Sequence, residues 1–173
     1  LVDKGRVDPA QASAWQAALQ PVAEMADLKD CELVVEAIVE RLDAKQSLFQ
    51  ALEAIVAPTA LLATNTSSLS VTAIGAGLQR PERLAGYHFF NPVPLMKVVE
   101  VIAGLKTDPA HCDALFAHAR AMGHTPVLAQ DTPGFIVNHA GRGYGTEALR
   151  LVGEGVADFA TVDRILRDQV GFK

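Results

Sequence analysis

Apolar residues along the chain fall into short runs separated by stretches of helical spacing. Glu32-Leu33-Val34-Val35-Glu36-Ala37-Ile38 is an apolar run with polar flanks, the pattern of a buried strand of parallel type. From Arg41 to Val56, apolar residues stand at Leu42, Leu48, Phe49, Leu52, Ile55 and Val56, a helical spacing that stops before Pro58. Leu61 to Thr64 is the next strand, and a short helix from about Val71 to Ala76 follows. Leu84 to Phe90 and Val98 to Ala103 are two further strands. Asp108-Pro109 then opens a helix that ends at Gly123, and Thr125 to Ala129 is one more strand. Upstream, Asp8-Pro9 caps a helix running to about Leu19, and Pro21 to Met25 is a short strand candidate. Residues 1–5 read as the tail of a helix already under way, so the chain is expected to be a piece of a longer protein.

Strand–helix alternation with short links predicts an α/β parallel sheet, its last two strands antiparallel to the rest. Asp131-Thr132-Pro133-Gly134 is a break in composition, beyond which only helices are visible, from about Phe135 to Val152 and from Asp158 to Val170. The expected organisation is one α/β domain over residues 1–130, then the beginning of an all-helical one over 131–173.

With 173 residues, half of them hydrophobic, the chain can bury a real core. Net charge is −5, and no basic patch with interleaved aromatics occurs, so nucleic acid is not an expected partner. The longest apolar runs are far too short to span a bilayer, and nothing resembles a signal peptide. Cys31 and Cys112 lie far apart without a CxxC, and His111 and His118 are spaced as solvated helix neighbours. This favours free thiols in a reducing compartment, the cytoplasm, and no metal site.

Candidate chemistry starts at Tyr87-His88-Phe89-Phe90-Asn91-Pro92-Val93-Pro94-Leu95-Met96-Lys97-Val98-Val99-Glu100. Pro92 and Pro94 cannot donate to a sheet ladder, so they mark the connection between two strands. If the chain folds back around Pro94, His88 and Glu100 face each other on one side of the sheet, their Cβ atoms roughly 5 Å apart. An imidazole beside a carboxylate serves either as a general base or as a structural pair at a sheet edge.

Ligands bind beyond the carboxyl ends of strands in an open parallel sheet, and three polar clusters fall there. These are Glu36 to Lys45, Asn65-Thr66-Ser67-Ser68, and His88 to Asn91. Taken singly, Glu36 and Glu40 read as charges at a helix N-terminus, and the Asn65–Ser68 run as an N-cap. A hydrolase triad on Ser67 is disfavoured because the flanking glycines of a nucleophile elbow are missing. Gly75-Ala76-Gly77 lacks the third glycine of GxGxxG and no strand precedes it. Gly141-Arg142-Gly143-Tyr144-Gly145 sits inside a helical pattern, as in a thin, close-packed or bent helix.

Four ordered motifs then converge. They are Val34-Val35-Glu36-Ala37-Ile38-Val39-Glu40; Asn65-Thr66-Ser67-Ser68-Leu69; His88-Phe89-Phe90-Asn91-Pro92-Val93-Pro94 through Val101; and Asp131-Thr132-Pro133-Gly134-Phe135-Ile136-Val137-Asn138. In this order the chain resembles the L-3-hydroxyacyl-CoA dehydrogenases of fatty-acid and aromatic-acid degradation, especially the 3-hydroxyadipyl-CoA or 3-hydroxybutyryl-CoA type. The resemblance implies a partial Rossmann-type NAD-binding domain followed by the start of a helical domain for substrate and dimerisation. It implies His88 as catalytic base, Glu100 as its orienting partner, Ser67 on the substrate oxygen and Asn138 beside the reacting carbon. Asn91 would contact cofactor or substrate, while Glu40 and Lys45 look like nicotinamide-side and ribose-side contacts, with Ser67 near the cofactor as well. NAD as cofactor, an acyl-CoA substrate and a homodimer for the full-length protein follow from the same resemblance. Alternatives are a related dehydrogenase on a non-CoA hydroxy acid, or a non-catalytic binding protein derived from such an enzyme.

The sequence departs from the family in three places. The family's first strand and its GxGxxG loop would precede Leu1, and its helical domain would continue past Lys173. His139 stands where an arginine usually follows the asparagine, and the glycines at 141, 143 and 145 are unusual in that helix. Calorimetric titration of this 173-residue chain with NAD is therefore expected to show weak binding; tight binding would mean that a glycine run holds the pyrophosphate after all.

Overall fold

The computed structural model describes residues 2, 5 and 7–172. The expected helix tail over residues 1–5 falls largely outside them. Helix α1 (Pro9–Ala18) starts where Asp8 accepts hydrogen bonds from the amides of Ala10 and Gln11, with Pro9 at the first helical position. It buries no residue. No strand forms over 21–25: the chain is irregular there and then turns through a short 3₁₀ segment, Met25–Leu28. Among the described residues no strand pairs with the segment, and extended backbone without a partner gains nothing over irregular chain.

Five strands follow: β1 (Leu33–Glu36), β2 (Leu61–Thr64), β3 (Leu84–Phe89), β4 (Val98–Ala103) and β5 (Thr125–Gln130). They lie side by side in chain order, with β1, β2 and β3 parallel, β4 antiparallel to β3, and β5 parallel to β4. The last two strands thus run against the first three. The β1 strand is shorter and wetter than its apolar run suggests. It is hydrogen-bonded on one side only, and Val35 is 40% exposed.

Helices cover both faces. On one side α2 (Leu42–Ile55) and α3 (Val71–Gly75) press Phe49, Leu52, Val71 and Ile74 onto Leu62, Leu84 and Ile102. On the other, α4 (Pro109–Ala121) sets Cys112, Leu115 and Ala119 against Ala63, Ala85, Tyr87, Val99 and Val101. His111 belongs to that buried face rather than to the solvated one. The helical spacing 111, 115, 119 turns it inward, where a ring nitrogen lies 3.3 Å from the Leu62 carbonyl oxygen. Burial pushes its pKa down. His118, by contrast, is exposed.

Beyond β5 the chain is helical: α5 (Val137–Gly153) and α6 (Phe159–Ile165), the latter continued by a π-helical turn, Leu166–Val170, that ends on Gly171 at φ +82°. Close packing does not explain the glycines of α5. A Cβ at Gly141, Gly143 or Gly145 would meet nothing within 4 Å among the described residues. Those described residues include no helix long and apolar enough to cross a membrane, and no cluster of three or more potential metal ligands.

Two glycines give opposite tests of this packing. At Gly86, a Cβ would lie 2.7 Å from Ile102 Cβ and 3.0 Å from Val71 Cγ2, so Gly86→Ala overpacks the join between β3, β4 and α3. It should cost roughly 1–3 kcal/mol in urea unfolding. Gly141→Ala fills open space on a helix and should gain up to about 1 kcal/mol. The reverse order of stabilities would contradict the packing described.

Candidate active site

The β3–β4 pair is in register with His88 opposite Glu100 and Phe89 opposite Val99, as a reversal around Pro94 requires. The two side chains meet: His88 Nδ1 lies 2.7 Å from Glu100 Oε2. His88 is 5% exposed and Glu100 is fully buried. An ionised carboxylate accepts only, so its bond to Nδ1 fixes the Nδ1–H tautomer and leaves Nε2 as the bare acceptor. Phe90 and Phe135 flank the imidazole, with ring centroids 4.5 Å and 5.6 Å away.

The other oxygen, Glu100 Oε1, accepts from the backbone amides of Ile136 (2.8 Å) and Val137 (2.9 Å) at the start of α5. These amides have no intrahelical partner, and the positive end of the helix dipole favours the anion there. What aims them is the turn before the helix, where Gly134 sits at φ +78° and Phe135 at φ +49°. A phenylalanine in the left-handed region is uncommon. Here it buries its ring against His88 while the next two amides point at Glu100. One carboxylate therefore ties the sheet, the imidazole and the first turn of α5 together. Asp131 holds the near end of the same turn. Its carboxylate accepts from Ser70 Oγ and from the amides of Val71 and Thr72, capping α3. Burial pushes the Asp131 pKa up, but these hydrogen bonds outweigh it and hold the value below the usual range.

The second cluster lies at the carboxyl ends of β1 and β2. Glu36 and Lys45 are a buried ion pair, 2.6 Å apart, and Glu36 also accepts from Thr64 Oγ1 at 2.7 Å. Lys45 Nζ is 3.2 Å from Glu40, whose side chain is 37% exposed. Glu40 Oε1 accepts from Thr66 Oγ1 (2.6 Å), Ser67 N (2.9 Å), Ser68 Oγ (3.2 Å) and Ser67 Oγ (3.3 Å). Burial pushes the Glu40 pKa up, but the bonds from Thr66, Ser67 and Lys45 more than offset it, and the carboxyl is held at about 2. Four donors on one oxygen exceed its lone pairs, so the longest of them, Ser67 Oγ, is the most easily spared.

Ser67 joins the two clusters. Its carbonyl oxygen lies 3.4 Å from Asn138 Nδ2 on the first turn of α5. Of the residues marked by motif, the structure thus brings Ser67, Asn138, Glu40 and Lys45 into one hydrogen-bonded chain, and His88 with Glu100 into another. Asn91 is exposed at the start of the turn, on a cis bond to Pro92. Neighbouring Asn65 instead serves the backbone, accepting from Phe89 N at 2.8 Å. Thr64 is missed by the sequence reading as part of the site, and Glu36 and Thr66, though inside its polar clusters, receive no role of their own. The usable signal was the register: Glu36 and Thr64 end two adjacent parallel strands.

The chain matches two family models, 3-hydroxyacyl-CoA dehydrogenase NAD binding domain over residues 1–132 and 3-hydroxyacyl-CoA dehydrogenase C-terminal domain over 134–173. It is 47% identical over 154 residues to 3-hydroxyadipyl-CoA dehydrogenase of Escherichia coli K12, covering 89% of this chain and 32% of that protein. A probable 3-hydroxyacyl-CoA dehydrogenase of Caenorhabditis elegans is 43% identical over 145 residues, covering 84% and 47%. The chain therefore spans less than half the length of these curated relatives. Among solved structures, E. coli 3-hydroxybutyryl-CoA dehydrogenase superposes with a TM-score of 0.91 at 43% identity, covering 96% of this chain and 35% of that one. (S)-3-hydroxybutyryl-CoA dehydrogenase from Ralstonia eutropha gives 0.92 at 32% identity, covering 99% and 61%.

The low pKa of Glu40 has a measurable consequence. Its folded value lies below the ordinary 4.5, so its stabilisation is complete above about that pH and is lost as pH falls toward 2. Unfolding free energy should fall with pH across this interval, and Glu40→Gln should flatten the fall. Equal slopes in the two proteins would mean that the Glu40 contacts do not hold in solution.

Proposed function

The chain belongs to the 3-hydroxyacyl-CoA dehydrogenase family, and on that premise we propose that the full-length protein oxidises a (3S)-3-hydroxyacyl-CoA to the 3-ketoacyl-CoA with NAD. The observation that carries the reading is the buried His88–Glu100 pair, 2.7 Å apart and pinned from behind by two helix amides. In the reaction the C3 hydroxyl loses its proton to His88 Nε2 while the C3–H bonding pair leaves with its hydrogen as hydride. Glu100 keeps the Nδ1 proton in place and stabilises the imidazolium that forms. Ser67 Oγ and Asn138 Nδ2 donate to the oxygen as it becomes a carbonyl. Ser67 Oγ can leave Glu40 for this task because three other donors remain on that oxygen.

The residues present fit one end of the cofactor. Glu40 offers a partly exposed, ionised carboxylate beyond β1 and β2, suited to ribose hydroxyls or a carboxamide N–H. Lys45, expected as a ribose-side contact, is 1% exposed and bears on the cofactor only through its ion pair with Glu40. Ser67 and Asn91 lie on the same side, beyond β2 and β3. Neither glycine run forms a pyrophosphate turn: Gly75 ends α3, and Gly141, Gly143 and Gly145 lie inside α5. When bound, NAD supplies the hydride acceptor. The reading extends to a homodimer in the cytoplasm. Exposed apolar residues on the helical unit, among them Leu149, Phe159 and Ile165, support assembly through it, and the free thiols of Cys31 and Cys112 support a reducing compartment.

In the full-length protein, His88→Gln is expected to lower kcat for NADH formation from (S)-3-hydroxybutyryl-CoA by about 10²–10⁴-fold, with KM little changed. Free hydroxy acids should be much poorer substrates than their CoA esters. An unchanged rate in the variant, or equal use of the free acids, would overturn the proposal.

A further inference from the structure

The geometry points to Glu36 as a positioning residue that fixes Lys45 and, through Lys45 and Glu40, the loop carrying Ser67. The inference rests on the reading of Glu40 and Lys45 as the cofactor side of the site, and extends it to a residue that no cofactor could touch. Glu36 is the last residue of β1 and its side chain is fully buried. Its carboxylate accepts from three separate parts of the fold: the amide of Ile38 (2.5 Å) in its own loop, Thr64 Oγ1 (2.7 Å) on β2, and Lys45 Nζ (2.6 Å) on α2. Held at three points, it has no other place to go.

Lys45, in the first turn of α2, is 1% exposed. A buried ammonium demands counter-charge, and Lys45 spans two carboxylates, one immobile and one partly exposed. Glu40 is the member free to move. Its position is a balance between Lys45 on Oε2 and the Thr66–Ser68 donors on Oε1. Without the charge on Glu36, Lys45 has only Glu40 to neutralise it. The ammonium then draws Glu40 inward, away from the Ser67 amide and away from the rim where it would meet the cofactor. Glu36 thus sets how far out Glu40 stands, without contacting any reacting group.

The test uses the full-length protein with Glu36→Gln, which removes the charge and keeps the shape. Thr64→Val is the milder variant, since it removes the hydrogen bond to Glu36 and a longer one from the Thr66 amide, and leaves every charge in place. Leu52→Ala is the control for lost stability alone, because Leu52 is buried on α2 but belongs to the apolar core. Calorimetry without acyl-CoA should show the NAD Kd raised on the order of tenfold in Glu36→Gln, the loss of about one hydrogen bond. Thr64→Val should show a smaller rise, and acyl-CoA affinity should stay within about twofold. Hydrogen exchange at the Ser67 amide should speed up more than at the core amide of Val101. The inference is overturned if Leu52→Ala weakens NAD as much as Glu36→Gln does, or if Ser67 exchange keeps pace with Val101. If the unsubstituted protein does not bind NAD, the cofactor reading fails by itself, and the Ser67 exchange still decides whether Glu36 positions the loop.

Discussion

A carboxylate shut off from water must find donors for both of its oxygens, and Glu100 finds them in two different parts of the chain. One oxygen takes His88 Nδ1 across the β3–β4 pair, and the other takes the Ile136 and Val137 amides at the start of α5. Leaving such a group with one side unpaired costs about 3–5 kcal/mol. The sheet, the imidazole and the first turn of the helical unit are therefore not independently placed. Phe135 accepts a left-handed backbone so that the two amides arrive on target, and its ring then closes over the histidine it helps to fix.

The second charged cluster is built on the same logic with a different outcome. Glu36 and Lys45 are buried and paired with each other, while Glu40 stands at the rim with part of its surface in solvent. Glu100 is enclosed and held on both oxygens. Glu40 keeps Ser67 Oγ as the longest of the four contacts on one oxygen, the one most easily released. The two clusters meet where the Ser67 carbonyl takes Asn138 Nδ2, which joins the loop after β2 to the first turn of α5.

Much of this was legible in the residues. Paired prolines between two apolar runs place the reversal, and strand periodicity then makes His88 and Glu100 neighbours, as the register confirms. Apolar runs and caps also locate the five strands and the main helices. The failures share a cause: local pattern does not say what lies beside a segment. Pro21 to Met25 has strand-like residues but no partner strand among the described residues. His111 has a polar side chain, yet the helix turns it onto the sheet. Glu36 looks like a charge at a helix entrance. Only the β1–β2 register, with Thr64 beside it, shows it as a buried anchor. The α5 glycines imply close packing, and the described residues put nothing against them.

Glu100 sets which ring nitrogen of His88 carries the proton, and ¹⁵N NMR of the histidine ring reads that directly. In mildly alkaline solution the His88 signals should show a protonated Nδ1 and a bare Nε2. In Glu100→Gln that preference should be lost or reversed. A protonated Nε2 in the unsubstituted protein, or an identical spectrum in the variant, would contradict the account.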